Sequence, residues 1–475
     1  MKKTINWTLL LLATLVSSAL GAPNTLQDIP KEMLTLTKAV EYALAANPRA
    51  LKAREQINEF DQLIRQARSE ALPRLNGVLG INQTRDPGLR NSPFFSRILE
   101  GGEGAEGGIP PEALLPFKFN NFVWQFDVRQ PIYTFGRVSN ALKGAREEVE
   151  GVHLDVAEIE NQLSLDVARA CYGYLLAKQQ LVVLQSERAA RERQLEYVQA
   201  RFDLEDATRL DLLQAQVTLS NLRPQILAAE NDLQIAVAVV NDALGRPVDT
   251  PFDITLPLVA PAEIPEVAGP RDLLIVANGN RPELLRFAID RNVLDARVGV
   301  TRSNLLPEIS ATATFGINTF DFDNLRDWSL HTWSVGARLD WTIFDGFSTN
   351  AEIAALRSQV TQNGFEEGTF RSDLAMELER ATGTWVRVLE AIEVAQFAVE
   401  LSNEAQRVAE ENFQYGAATT LDLLEAARAV RESEFTLASA VHEALVTLAE
   451  LKYLIGYRAD APDSVLSGSS TTQQP

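Results

Sequence analysis

Along this chain, apolar and polar residues alternate one by one in four short stretches. They recur every three or four residues in much longer ones. The two kinds of stretch follow a fixed order, and that order occurs twice. In Ile309–Asn318, Ile309, Ala311, Ala313, Phe315 and Ile317 share one face, while Ser310, Thr312, Thr314, Gly316 and Asn318 share the other, which predicts a strand. Leu75–Thr84 is its glycine-rich counterpart. Phe122, Trp124, Phe126 and Val128 alternate with Val123, Gln125, Asp127 and Arg129. Over 333–343, Trp333, Val335, Ala337, Leu339, Trp341 and Ile343 alternate with residues that include Arg338 and Asp340. From Val138 to about Phe202 there is no proline, and Val138, Ala141, Ala145, Val149, Val152 and Val156 trace one helix face. About 65 helical residues would reach roughly 97 Å, with a counterpart from Ser348 to about Tyr415 and possible irregularity at Gly364 and Gly368. Helices of that length need partners of similar length.

The repeat is visible residue by residue. Thr208–Ala215 (TRLDLLQA) and Thr419–Ala426 (TTLDLLEA) differ only at their second and seventh positions. Pro48 and Pro73 recur as Pro282 and Pro307, Gly80-Ile81-Asn82 as Gly316-Ile317-Asn318, Gly136 and Asn140 as Gly346 and Asn350, and Gly245 as Gly456. Each unit therefore reads in the same order. A helical segment (Thr35–Leu72 or Arg271–Leu306) is stopped by proline, then two strands lead into a very long helix. A break at 203–207 or 414–418 precedes a last helix ending at glycine. The first unit carries a glycine-rich insertion between about 83 and 120. These limits give a repeat over 31–246, a proline-rich connector over 247–270, a second repeat over 271–457 and a polar tail over 461–475 expected to be disordered.

Composition narrows the function. The formal net charge is −20, which argues against nucleic-acid binding. Lys2 and Lys3, a short apolar run over Trp7–Val16 and small residues after it form a secretory signal over 1–21. No cysteine lies near the cleavage site, which argues against a lipid anchor there, and no later stretch is apolar enough for a spanning helix. The single cysteine, Cys171, is expected to be a buried thiol. The alternating strands fit either a soluble core or a transmembrane barrel with lipid outside and water inside. Export and the charged face present in both copies favour the barrel. Four strands cannot close one, since the bacterial minimum is eight, and an open edge in lipid is not allowed. Other copies of the chain must complete it, and three would supply twelve strands.

Several motifs bring this organisation to a family. Ala46-Asn47-Pro48 with Arg281-Pro282, the strand-to-helix turns QPIYTFGR (130–137) and WTIFDGF (341–347), and above all FQYGAATTLDLLEA (413–426) resemble the TolC-like outer-membrane efflux protein family over about 31–457. The resemblance implies a mostly α protein with membrane β-barrel strands and two tandem repeats. A homotrimer would build a twelve-stranded outer-membrane barrel continuous with a long periplasmic α-helical barrel. It implies an exit duct of a tripartite efflux or type I secretion system, in the outer membrane of a Gram-negative bacterium, with a periplasmic adaptor and an inner-membrane transporter as partners. Phe122, Trp124, Phe126, Trp333, Val335, Leu339 and Trp341 would face outer-membrane lipid. Leu204, Glu205, Tyr415 and Gly416 would form the adaptor-facing tip, with Glu205 standing where the second repeat has its tip glycine.

The same resemblance places Asp422 and Glu425 at the periplasmic constriction, opposed by Asp211 and Gln214 of the first repeat. Positions i and i+3 share a helix face, and three chains would gather six carboxylates around one axis. The bland reading is a capping box, with Thr208 and Thr419 as caps and Asp211 and Asp422 as their partners. Capping is the main reading for Asp211, capping and gating stand level for Asp422, and Glu425 is the cleaner gate residue. Some family members carry a basic residue where this chain has Ala418, and Arg209 is the substitute on offer. No cofactor is expected, and His153, His331 and His442 lack zinc-ligand spacing. Gly102–Gly107 spells GxGxxG without a strand before it or a helix after it. No catalytic constellation appears, so an enzyme is not expected. The competing reading is a periplasmic coiled-coil adaptor or scaffold whose strands form a soluble domain.

Overall fold

The structure is a computed structural model that describes residues 35–84, 119–251, 265–319, 321–415 and 417–467. The signal over 1–21, most of the insertion with its GxGxxG stretch, the middle of the connector, Gly416 and residues 468–475 of the tail lie outside the described residues. The start of the tail is not disordered as expected: a 3-10 helix over Asp463–Ser467 buries Leu466 in the core of the second repeat.

Each repeat begins with two helices, not one. α1 (Leu36–Ala46) and α2 (Pro48–Ser69) open the first repeat. The strands β1 (Arg74–Thr84) and β2 (Phe119–Tyr133) lead into α3 (Arg137–Asp203) and then α4 (Arg209–Leu244). The second repeat has α5 (Pro270–Asn280), α6 (Pro282–Ser303), β3 (Glu308–Thr319) and β4 (Thr332–Asp340), then α7 (Ser348–Gln414) and α8 (Thr420–Leu454). The long helices α3 and α7 have 67 residues each, about 100 Å at 1.5 Å per residue. α7 runs unbroken through Gly364 and Gly368, so the irregularity expected there does not occur.

The expected single helix over 35–72, or 271–306, is split at Asn47 and Arg281. Proline at the next position lacks an N–H and disfavours helical backbone before it, so it starts a new helix instead of continuing the old one. The split builds a joint. Asn47 Oδ1 accepts from the Arg49 N–H at 2.8 Å, and Asn47 Nδ2 donates to the Ala243 carbonyl at 2.9 Å, near the end of α4. Arg281 Nη1 donates to the Leu454 carbonyl at 3.2 Å, at the end of α8, and its guanidinium lies over the rings of Phe370 and Tyr453. Gly245 and Gly456 adopt φ of +75° and +89°, and a Cβ there would stand 2.6 Å from Asn47 Cα and 2.7 Å from Arg281 Cα. In both repeats, then, the glycine that ends the last helix lets the opening helices press against it.

The core sits at this joint, midway along the long helices. Ala39, Val40, Ala43 and Leu44 of α1 pack on Leu163, Val167 and Cys171 of α3 and on Val240 and Leu244 of α4. Leu273 and Ala277 of α5 meet Leu378, Trp385 and Val388 of α7 and Ala444 and Leu451 of α8 in the same way. Leu165 and Ala168 of α3 join the halves by packing on Ala449 and Ala459. Cys171 is buried, as expected, and burial pushes its thiol up to about 12.

The strands form one antiparallel sheet in the order β1-β2-β3-β4. β4 ends at Asp340, three residues short of the expected Ile343, so Trp341 lies past the strand and its indole N–H donates to the Leu305 carbonyl at 3.1 Å. The sheet also corrects the repeat alignment. Arg74 stands opposite Arg129 and Glu308 opposite Asp340. Thr134 Oγ1 accepts from Val138 N–H as Asp345 Oδ2 accepts from Thr349 N–H. Structurally, Phe135-Gly136 therefore corresponds to Gly346-Phe347, all four with positive φ, and the Gly136–Gly346 match is one residue out of step. The Gly80-Ile81-Asn82 match is two residues out of step, because β1 and β3 both start directly after proline and pair without a bulge.

The joint is testable. Gly456→Ala is expected to cost roughly 2 kcal/mol or more, since it combines a left-handed backbone with a clash against Arg281 Cα. Thermal unfolding measures this, with Gly279→Ala, whose Cβ would meet nothing within 4 Å, as the tolerated control.

Candidate channel elements: the strand sheet and the helical tips

The pairing register gathers the apolar positions of all four strands on one face. Leu79 stands opposite Trp124, Trp124 opposite Ile317, Phe126 opposite Phe315, and Phe315 opposite Trp333. Leu79, Trp333 and Val335 are 73%, 75% and 74% exposed, so the outer strands leave this face uncovered within the chain, while Ile317 between them is buried. Of the seven residues expected to face lipid, Phe122, Trp124, Phe126, Trp333, Val335 and Leu339 lie on it, and Trp341 lies beyond its end.

The other face is polar. Near the helix junction, Arg129 reaches Glu308 and Asp340 at 3.4 Å each, Arg137 reaches Glu308 at 3.0 Å, and Arg338 reaches Asp340 at 3.2 Å. Further along, Asp127 accepts from Thr314 Oγ1 at 3.0 Å and from Gln125 at 2.7 Å.

Aromatic rings flank the apolar face at both ends, a feature that alternation along the sequence does not reveal. At the loop end, Trp124, Phe315, Trp328 and His331 form one cluster of edge-on, tilted and stacked rings, and Phe122 meets Phe322 edge-on. At the helix end, Tyr133 meets Phe135 and Phe344 meets Phe347, with Trp341 nearby in sequence. The alternation signal ignores residues outside strands, which hid Trp328, Phe344 and Phe347. β4 between these groups has nine residues. At ~3.4 Å each and a ~40° tilt, they rise about 23 Å, close to the ~25 Å apolar band of outer-membrane barrels.

At the opposite end of the molecule, α3 and α4 form one antiparallel hairpin and α7 and α8 another. α3 closes in a Schellman motif: Glu205 N–H bonds to the Phe202 carbonyl at 3.0 Å and Asp206 N–H to the Arg201 carbonyl at 2.8 Å. The motif demands a left-handed residue, and Glu205 takes φ +62° without being glycine. Leu204 and Tyr415 are 79% and 86% exposed, so both loops offer a large apolar or aromatic side chain to the outside. The tips touch one another through Tyr197 and Phe413, whose ring centroids are 5.7 Å apart. Arg201 lies over both rings and pairs with Asp206 at 2.9 Å. The Arg201 charge also contributes to lowering Asp211.

Both capping boxes form. Asp211 Oδ2 accepts from Thr208 N–H at 2.9 Å and Thr208 Oγ1 at 2.7 Å, while Asp211 N–H donates to Thr208 Oγ1 at 3.2 Å. Asp422 Oδ2 accepts from Thr419 N–H and Oγ1 at 2.7 Å each, and Asp422 N–H donates to Thr419 Oγ1 at 3.3 Å. These bonds favour the ionised form and hold both carboxyls below the usual aspartate range, led by the Thr208 hydroxyl for Asp211 and the Thr419 N–H for Asp422. Gln214 and Glu425 are exposed, and Glu425 has no hydrogen bond or ion pair among the described residues. Higher up, Glu187 is buried between Arg191 at 3.2 Å and Arg431 of α8 at 2.7 Å, tying the first repeat's long helix to the second repeat's last one. Sequence gave no signal for that contact, because Glu187 and Arg431 belong to different repeats.

Residues 39–246 and 273–457 match the outer membrane efflux protein family. The chain belongs to that family. The outer membrane protein TolC of Vibrio cholerae is 21% identical over 450 residues, which covers 94% of this efflux protein and 95% of TolC. The alkaline protease secretion protein AprF of Pseudomonas aeruginosa is 22% identical over 350 residues, covering 72% and 71%. The open state of the Neisseria gonorrhoeae MtrE outer membrane channel shares the fold with a TM-score of 0.71 at 17% identity, covering 90% of each chain. A CusC crystal structure also gives 0.71, at 16% identity, covering 89% of this chain and 92% of its own. The efflux protein is an outer-membrane protein that extends into the periplasm. A purely periplasmic scaffold does not accord with that location.

Thr419→Ala is expected to speed amide exchange at the start of α8 roughly fivefold, the loss of an N-cap worth about 1 kcal/mol. Asp422→Ala should accelerate the same amides, while Glu425→Ala should leave them unchanged, as hydrogen-exchange mass spectrometry would show. Because both cap carboxyls titrate below the ordinary aspartate value of about 3.9, the caps hold at neutral pH. They are lost only as pH falls through those lowered values. Glu187→Ala strands the buried Arg191 and should cost about 3–5 kcal/mol.

Proposed function

We propose that three copies of this efflux protein form an exit duct: a twelve-stranded barrel in the outer membrane, continuous with a helical tunnel through the periplasm. The observation that carries this reading is the sheet itself. It has one apolar face, exposed along both outer strands and bounded by aromatic rings, one face with charges, and both outer edges free among the described residues. Lipid demands the first and water the second, and lipid does not tolerate open edges at membrane depth. Phe122, Trp124, Phe126, Trp333, Val335 and Leu339 then face acyl chains. Trp341, anchored to the Leu305 carbonyl, suits the interface, where an indole keeps one end apolar and the other hydrogen-bonded. The Arg129–Glu308–Arg137 and Arg129–Asp340–Arg338 pairs line the water-filled side.

In this reading the helical tips close the far end. Thr208 and Thr419 hold the tip helices, and Asp211 and Asp422 are their caps first. Their remaining role at the constriction is the charge they keep at neutral pH. Glu425 and Gln214, free of any such duty, face the axis, and three Glu425 carboxylates give the opening a cation preference. Leu204, Glu205 and Tyr415, with Gly416, meet a periplasmic adaptor that links the duct to an inner-membrane transporter, in a tripartite efflux or type I secretion system. Similar chains carry names as unlike as alkaline protease secretion protein, fusaric acid resistance protein and toluene efflux pump outer membrane protein. Cargo choice is therefore assigned to the partners and passage to the duct.

Planar-bilayer recording of the purified protein tests this. A small, steady, cation-preferring conductance is expected, with Glu425→Ala lowering the cation preference and raising conductance several-fold. Absence of any membrane insertion would overturn the duct. Insertion with Glu425→Ala indistinguishable from the parent would remove Glu425 from the gate.

A further inference from the structure

The sheet has two free edges, β1 and β4, and the internal repeat determines how they meet. β1–β2 and β3–β4 are the same structural unit in the same register. Arg74, first after Pro73, faces Arg129, and Glu308, first after Pro307, faces Asp340. The helix that follows starts at Arg137 in one unit and Ser348 in the other, eight residues beyond Arg129 and Asp340 in each case. The junction between units within the chain is β2–β3, where Arg129 faces Thr312, Val128 faces Ala313, Asp127 faces Thr314 and Phe126 faces Phe315.

In a closed ring the remaining junction joins β4 of one copy to β1 of the next. A barrel's strand tilt and stagger are linked around its whole circumference. Each unit also drops a long helix from the same point of its second strand. Equal stagger at both kinds of junction is what starts all these helices at one height, so that they can pack side by side below. We propose that β4 pairs antiparallel with β1 of a second copy of this chain in the register transposed from β2–β3: Asp340 opposite Val78, Leu339 opposite Leu79, Arg338 opposite Gly80 and Ala337 opposite Ile81. The proposal rests on the exit-duct reading and names the contact that closes it.

The side chains independently agree with the transposed register. Leu339, Leu79 and Ile81 are 60%, 73% and 66% exposed in the single chain, and the register stacks them on one another on the lipid side. On the water side Arg338, which pairs with Asp340 within its own strand, comes to lie opposite Gly80, which has no side chain to displace the guanidinium. A slip of one residue would turn Arg338 and Asp340 into lipid, so only slips of two residues compete.

The test is disulfide formation in isolated membranes. The native Cys171 is buried and does not compete. The double variant Ile81→Cys/Ala337→Cys should oxidise to a covalent trimer on non-reducing gels, at least tenfold more than Leu79→Cys/Ala337→Cys or Gln83→Cys/Ala337→Cys. Leu79→Cys/Leu339→Cys provides a second lipid-side pair should the first fold poorly. Gly80→Cys/Arg338→Cys samples the alternate class of backbone pair, since neighbouring pairs alternate between hydrogen-bonded and open sites. The mass of the unoxidised particle separates the two levels. A trimeric particle that cross-links only in the shifted pairs, or in none, overturns the register and leaves the duct standing. A monomeric particle without inter-chain cross-links, as when the chain's own residues cover these edges, overturns both.

Discussion

A backbone N–H or C=O that loses water must find another partner, and this rule governs the molecule from end to end. Within lipid it forbids a sheet with free edges, so a chain with four strands cannot stand alone there. The same demand recurs wherever a helix ends. Thr208 and Thr419 satisfy the first amides of α4 and α8. Asn47 and Arg281 satisfy carbonyls at the far ends of those same helices. A structure made mainly of helices about 100 Å long has few places where backbone is unpaired, and each of them proves to be a joint, a tip or an edge.

The mid-height joint explains how such helices are held in line. A long two-helix hairpin buries only a narrow seam, and its stability is spread thinly. Here α1 and α5 lie across the hairpins and concentrate the fully buried residues, from Val40 and Leu244 in one repeat to Leu378 and Leu451 in the other. Towards the tips the contacts become polar and sparse: Arg201 over Tyr197 and Phe413, and Glu187 between Arg191 and Arg431. A firm middle and a less buried end place the strongest packing of the chain at the joint, not at the tips.

Much of this was readable from sequence, for physical reasons that also mark where reading stopped. The period of two placed all four strands, and the proline-free periodic runs placed α3 and α7 to within a residue or so. The capping boxes were evident because Thr-x-x-Asp is a local device. The split at Asn47 and Arg281 was missed because the apolar period carries across it, although Pro48 and Pro282 at the next position were the available signal. The alternation overruns β4 because Trp341 and Ile343 keep the period after the strand ends at Asp340. Glu205 does not itself advertise a left-handed backbone, and its place opposite the tip glycine Gly416 is the available signal. The aromatic belts, the Glu187–Arg431 tie and the edge register depend on residues far apart in the chain, and only the fold brings them together. The gate residues occupy a middle ground: the structure accounts for Asp422 as a cap and leaves Glu425 with its carboxylate uncommitted.

The central claim is that copies of this chain complete what one chain cannot, and the mass of the detergent-solubilised particle tests it most directly. Native mass spectrometry is expected to give three chain masses, with strand structure retained. A particle of one chain mass that keeps its four strands and remains stable in the membrane would contradict the account.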